Sequence, residues 1–167
     1  MIFRRAEKGG FSLIELLVVI GIIALLSTIV TAAVNEARKK ARLVAAQKTL
    51  RELRTAVAML ENDTGQWPMH NPIDYVLSGG GGNNERWNLD DADVGLVQTD
   101  GNFPNWNGPY IKDVSEDPWG NDYFYDTDYD IDPGAGTRNV TVIGSFGPNG
   151  VGQNIYDSDN VIEILAQ

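Results

Sequence analysis

The hydrophobic pattern of this 167-residue chain changes character twice. From Leu16 to Val34, nineteen residues pass without a charge, close to the ~20 apolar residues that cross a bilayer core. Phe11 to Ile14 extend the run on the other side of Glu15. After Val34 the apolar positions thin to a stripe. Leu43, Ala46, Leu50, Leu53, Val57 and Leu60 recur at alternating steps of three and four, which puts them on one face of a helix. Arg38, Lys39, Lys40, Arg42, Lys48, Arg51 and Arg54 fall mostly off that face. No proline precedes Pro68, and Gly21 is the only glycine between Phe11 and Asn62. The pattern predicts one helix from about Phe11 to about Asn62, roughly 78 Å long, with Gly65 and Pro68 as its stop signal.

Beyond this helix the period shifts. Residues 66–108 predict irregular chain, because the glycine run "SGGGGNN" (Ser78–Asn84) carries too much backbone entropy for a regular element. Trp residues flank "LDDAD" (Leu89–Asp93) and predict a loop tied down by aromatic contacts. Three strand-like pieces follow: "YFY" (Tyr123–Tyr125), "NVTVIGSF" (Asn139–Phe146) and "NVIEIL" (Asn160–Leu165), with turns rich in Asp, Pro and Gly. A three-stranded sheet needs a cover on one face, and the stripe Leu43–Leu60 supplies it. The expected fold is α+β: a long N-terminal helix, one half of membrane type and one half amphipathic, packed on a small antiparallel β-sheet head. Its predicted parts are residues 1–10, a leader; 11–34, the apolar helix; 35–62, the amphipathic half of the same helix; and 63–167, a head with an αβ-loop and the sheet.

Charge sharpens this division. The formal net charge is -10, but its parts differ in sign. Residues 1–10 carry +2, residues 11–34 carry -1, residues 35–54 carry +5 and residues 55–167 carry -16. An acidic head of this kind argues against nucleic-acid binding, which needs a basic footprint, and suits a soluble surface, a cation or a basic partner. The chain has no cysteine, so no disulfide braces it. Catalytic chemistry finds little support. The single histidine, His70, lies near Pro72 in a loop, and no serine has a nucleophile-elbow context. The glycine run lacks the Lys-Ser/Thr tail of a phosphate loop.

The N-terminal stretch "KGGFSLIELLVVIGIIALL" (Lys8–Leu26) admits three readings. A secretory signal peptide fits Arg4, Arg5 and the small residues Thr31–Val34, but not Glu15 in the apolar core. A plain anchor must carry Glu15 at a cost of roughly 2.5–3.5 kcal/mol, and basic residues on both sides of the span leave its orientation open. The third reading accounts for the charge and the glycines together. A short basic leader, Gly10, Phe11 and a Glu at the fifth position after Gly10 closely resemble the prepilin signature of type IV pilins and type II secretion pseudopilins. That resemblance implies cleavage after Gly10, N-methylation of the new amine on Phe11, and an assembly role for Glu15. Pairing the amine with the carboxylate of a neighbouring subunit would offset the cost of burying each.

The C-terminal half narrows the resemblance. "WNGPYIKDVSEDPWGNDYFY" (Trp106–Tyr125) is similar to the major pseudopilin of type II secretion systems, in which a GPY segment precedes a DPWGN segment. Asp, Pro, Gly and Asn also make "DPWGN" a turn leading into a strand. The resemblance implies a calcium ion in the stretch Ser145–Asn160, with Asn149, Asp157 and Asp159 as candidate ligands. Asn149 stands where the family usually has Asp, keeping an oxygen and losing a charge. "DTDYDID" (Asp126–Asp132) carries alternating carboxylates, but the sixth and twelfth positions of an EF-hand frame hold Ile131 and Thr137. It reads as a solvated acidic loop.

The resemblance implies a filament-forming major pseudopilin of a type II secretion system, not an enzyme. Its expected place is the inner membrane, single-pass with a periplasmic head, and then a periplasmic filament. The implied partners are copies of itself, prepilin peptidase, an inner-membrane assembly platform with its ATPase, and minor pseudopilins. Two rival readings stay open: a type IV pilus pilin serving adhesion, motility or DNA uptake, and a membrane-anchored calcium-binding domain that never polymerises.

Overall fold

A computed structural model describes residues 10–72, 85–134, 136, 138–152 and 155–166. The leader before Gly10 and the glycine run Ser78–Asn84 lie outside the described residues. The helix α1 runs from Leu13 to Thr64, 52 residues without interruption. It ends where the sequence predicts a stop, two residues later than Asn62. Gly65 takes a φ of 68°, a left-handed conformation open to glycine without a Cβ penalty, and its N–H caps the Glu61 carbonyl at 2.8 Å. The buried Thr64 hydroxyl donates to the Leu60 carbonyl at 2.7 Å and accepts from Gln66 N at 3.0 Å. The chain then makes a tight two-residue pair, β1 (Gln66–Trp67) with β2 (Asn71–Pro72). Asn71 Nδ2 braces its turn by donating to the Pro68 carbonyl at 2.9 Å.

Residues 13–40 and residues 41–166 fall in separate compact units of the chain. In the first, every described residue is exposed. In the second, the predicted stripe becomes a buried face made of Ala46, Leu50, Leu53, Ala56, Val57 and Leu60. Leu43 does not belong to it. Leu43 is 41% exposed, so the buried face begins one step later than the sequence predicts. Leu50, Leu53, Val57 and Leu60 pack with Tyr123, Tyr125 and Ile143 of the sheet and with Leu89, Val94, Leu96 and Phe103 of the αβ-loop.

The sheet is a three-stranded antiparallel meander in the order β3 (Tyr123–Asp130), β4 (Asn139–Ser145), β5 (Val161–Ala166). Its second face is also covered. Phe124, Tyr129, Val140, Val142 and Phe146 form a separate aromatic cluster with Trp87, Tyr156 and Ile162 packed against it. The ring of Trp87 lies 5.9 Å from Phe124 and 5.8 Å from Phe146. The expected aromatic anchoring of the loop is therefore present, through the Trp that precedes "LDDAD".

One expectation fails. The stretch Asp126–Asp132 is not a solvated loop: β3 continues through it to Asp130, and Asp126 and Thr127 are each only 1% exposed. The cause is a bulge. Asp126 pairs with Val142 and Tyr129 with Val140, so two residues of β3 oppose one of β4. An inserted residue shifts the alternation of a strand. Tyr129 thereby joins Phe124 on the aromatic face, and its burial holds the acidic stretch in the sheet.

Candidate functional site

Three places carry the candidate chemistry. The first is the entrance to α1. Gly10 is exposed, and a Cβ built on it would meet nothing within 4 Å. Phe11 is 90% exposed. Ser12 and Glu15 form a reciprocal cap: Ser12 N donates to Glu15 Oε2 at 2.8 Å, and Glu15 N donates to Ser12 Oγ at 3.2 Å. This satisfies two N–H groups that the first turn of a helix otherwise leaves open. Glu15 is thus held one residue from Phe11. Sequence reasoning placed Glu15 but missed Ser12, although the S-x-x-E spacing is a local signal for this cap.

Along the apolar stretch that follows, the large side chains from Phe11 to Val34 are between 40% and 90% exposed. The hydroxyls among them are satisfied by their own helix. Ser27 donates to the Ile23 carbonyl, Thr28 to Leu25 and Thr31 to Ser27, at 2.7, 2.7 and 2.8 Å. Such back-bonding leaves no hydroxyl proton in need of water. By length and composition α1 is able to cross a membrane.

The second place is the turn "DPWGN". Asp117 is 4% exposed. Its Oδ1 accepts from Trp119 N and Asn121 N, each at 2.9 Å, which makes the predicted turn. Its Oδ2 accepts from Ser145 Oγ at 2.5 Å, at the end of β4. Asn121 Nδ2 donates to the Gly147 carbonyl at 3.2 Å. The motif therefore ties the entrance of β3 to the loop after β4. The second lineage motif, "GPY", does similar work: Tyr110 Oη donates to Asp63 Oδ2 at 3.1 Å near the end of α1.

That loop, between β4 and β5, is where the resemblance implies calcium. The structure brings Asn149 and Asp157 together, with Asn149 Nδ2 donating to Asp157 Oδ2 at 2.8 Å. Asp159 joins through its backbone N–H, which donates to Asp157 Oδ1 at 3.0 Å. Calcium takes six to eight oxygens. Here the one side-chain oxygen of Asn149 already accepts Val151 N at 2.9 Å, and N–H groups face both oxygens of Asp157. These three residues as arranged do not fit a calcium site.

The third place joins two carboxylates of the stretch that the sequence reading set aside as a solvated loop to Glu85, which it did not foresee. Glu85, Asp126 and Asp128 each offer a carboxylate oxygen within 4.8 Å of the others. Burial, followed by the neighbouring Asp128 and Glu85 charges, pushes the Asp126 carboxyl up to about 7. Asp128 N donates to Asp126 Oδ1 at 2.8 Å and opposes that rise. Arg86, next in sequence to Glu85, is paired away with Asp93. That ion pair holds the Asp93 carboxyl below its ordinary range, the hydrogen bond being the main cause. His70 is engaged by Asp100 at 3.1 Å, and its ring lies tilted against Phe103 at 4.0 Å.

Comparison with known proteins agrees with the signatures at both ends of the chain. A family model described as "Prokaryotic N-terminal methylation motif" matches residues 5–31, a span that contains Gly10, Phe11 and Glu15. Among curated proteins, the type II secretion system core protein G of Pseudomonas aeruginosa is 26% identical over 160 residues, covering 94% of this chain and 97% of that one. The protein of the same name from Xanthomonas campestris pv. campestris is 29% identical over 157 residues, covering 93% and 90%. Among solved structures, the major pseudopilin of the type 2 secretion system of enterohaemorrhagic Escherichia coli aligns with a TM-score of 0.45 at 22% identity, over 76% of this chain and 90% of that one. A second family model, described as "Type II secretion system (T2SS), protein G", matches residues 33–161. With most of its length matched in this way, the chain belongs to the type II secretion system protein G family.

Proposed function

We propose that this chain is the major pseudopilin subunit of a type II secretion system. It is held in the inner membrane as a precursor, cleaved after Gly10, methylated on the amine of Phe11, and assembled into a periplasmic filament that helps export folded proteins. The observation that carries this reading is the surface of α1 before Val34, where every large apolar side chain is exposed. A surface of that kind must be covered. Lipid covers it in the precursor, and the same helices of other copies cover it in the filament. The role is structural. Its partners are copies of the chain, prepilin peptidase, the assembly platform with its ATPase, and minor pseudopilins. The +5 of residues 35–54 and the -16 of residues 55–167 support attraction between neighbouring copies.

Cleavage frees the Phe11 amine beside a carboxylate that the Ser12 cap already holds in place. In an apolar surrounding an unpaired carboxylate or ammonium is strongly disfavoured, and the pair offsets both costs. Mass spectrometry of the protein from its native membrane is the test. The expected species begins at methylated Phe11, and an intact Met1 overturns the reading. Glu15→Ala is expected to insert and be cleaved normally while filament yield drops on the order of tenfold or more, a factor that about 1.4 kcal/mol per contact suffices to give. Normal filaments from that variant would remove Glu15 from assembly.

A further inference from the structure

Among the described residues, hydrogen bonds close the loop between β4 and β5 at its start, its middle and its end. At its start, Ser145 Oγ accepts Gly147 N at 3.0 Å and is itself bonded to Asp117. At its end, Asn160 Nδ2 donates to the Ile155 carbonyl and to Tyr129 Oη, each at 3.0 Å. In the middle stands the Asn149–Asp157 contact, and its polarity is fixed. Val151 N–H needs an acceptor, so the end of the Asn149 amide that it meets at 2.9 Å is the oxygen. The other end, facing Asp157 Oδ2 at 2.8 Å, is then the N–H donor.

Consider an aspartate in the same place. One of its oxygens would keep Val151 N–H. The other would face Asp157 Oδ2 at hydrogen-bond distance, with no hydrogen between them. Two carboxylates that close do not both stay ionised unless a cation lies between them; without one, a proton is taken up. Asparagine removes the conflict by presenting the positive end of an N–H bond where the cation would go. We infer that in this chain the Asn149 amide takes the place of a bound calcium ion, and that the β4–β5 loop holds its shape independently of metal. This holds whether or not the chain assembles into filaments, because it concerns the folded head of a single copy.

The experiment uses the full chain in detergent micelles and follows thermal unfolding by tryptophan fluorescence, in millimolar calcium and in chelator. Wild type, Asp157→Asn and Asn149→Asp are compared. The wild-type melting temperature is expected to be the same in calcium and chelator, apart from any shift that Asp157→Asn shows equally. Asn149→Asp is expected to melt several degrees lower in chelator and to recover when calcium is added. Calcium stabilisation of wild type that Asp157→Asn abolishes would overturn the inference. So would a folded Asn149→Asp protein, judged by its circular dichroism, with no response to calcium. The wild-type comparison in calcium and chelator stands even where Asn149→Asp fails to fold.

Discussion

Polar side chains find their partners over different ranges in the two stretches of this chain. Before Val34 each finds its partner within one helical turn: Ser12 with Glu15, Ser27 with Ile23, Thr28 with Leu25 and Thr31 with Ser27. The head has local bonds of this kind, as between Asp117 and Trp119 N, and adds others whose partners lie far apart in sequence. Asp90 Oδ1 accepts Val114 N, Ser145 Oγ reaches Asp117, Tyr110 Oη reaches Asp63, and Arg54 reaches Glu163, separations of 24, 28, 47 and 109 residues. Local bonds travel with the helix and remain made in lipid, in detergent or among copies of the chain. Long-range bonds exist only when the whole head is folded, so each depends on the others. A segment that must change its surroundings carries the first kind, and a domain that must keep one shape adds the second.

The largest effect expected from breaking this contrast is at Asp117. The Asp117→Ala change removes the acceptor for Trp119 N, Asn121 N and Ser145 Oγ at once. Charge-assisted hydrogen bonds lost from a buried site cost about 1.5–3 kcal/mol, and orphaned donors add to that. Urea unfolding of the head should show a loss of about 3 kcal/mol. A loss well below 1 kcal/mol would mean that the "DPWGN" turn forms without its aspartate.

The same contrast explains what the sequence makes visible. The stripe Leu50–Leu60, the stop at Gly65 and the cores of β4 and β5 follow from neighbours a few positions apart, and the structure places them within one or two residues of expectation. The prepilin signature is likewise local, and so is the Ser12 cap, whose spacing was legible though unread. What could not be read depends on distant chain. The bulge in β3 exists because Thr127 and Asp128 together oppose one residue of β4, and a period-two reading of β3 alone counts Asp126–Asp132 as polar. The exposure of Leu43 depends on where the head stops covering α1, not on the helical period that Leu43 obeys. The donor role of Asn149 needs both Val151 and Asp157 in place. Its residue type alone suggested an oxygen ligand.

Asp126 gives the next largest effect, and its sign depends on pH. An aspartate in the unfolded chain titrates near 4, whereas in the fold burial and its acidic neighbours push Asp126 up to about 7. Below about pH 4 both states hold the proton and the group is neutral in its effect. Between about 4 and 7 the unfolded state loses the proton that the folded state keeps, so stability falls as pH rises, and the penalty is complete above about 7. Asp126→Asn cannot ionise and its oxygen can still accept Asp128 N. The variant should exceed wild type by about 2 kcal/mol near pH 8, a value discounted because Glu85 and Asp128 are partly open to solvent. The advantage should vanish toward about pH 4. An equal advantage at both pH values would show that shape, not charge, sets the difference.

The smallest effect tests the local side of the contrast. Ser12→Ala deletes the hydroxyl that accepts Glu15 N, and with it half of the reciprocal cap. Loss of an N-cap costs about 1 kcal/mol of helix stability, and here that cost should stay in the first turn. Ser12 and the head belong to separate compact units. Melting of the head should therefore be unchanged, whereas hydrogen exchange at the amides of the first helical turn should quicken roughly fivefold for about 1 kcal/mol. Glu15 would keep its bond from Ser12 N, because that donor is backbone. Ser12→Thr restores a hydroxyl at the same position and should restore slow exchange. A shift in head melting from Ser12→Ala would break the contrast, since it would show that the helix entrance and the head are energetically coupled despite having only local bonds at one end.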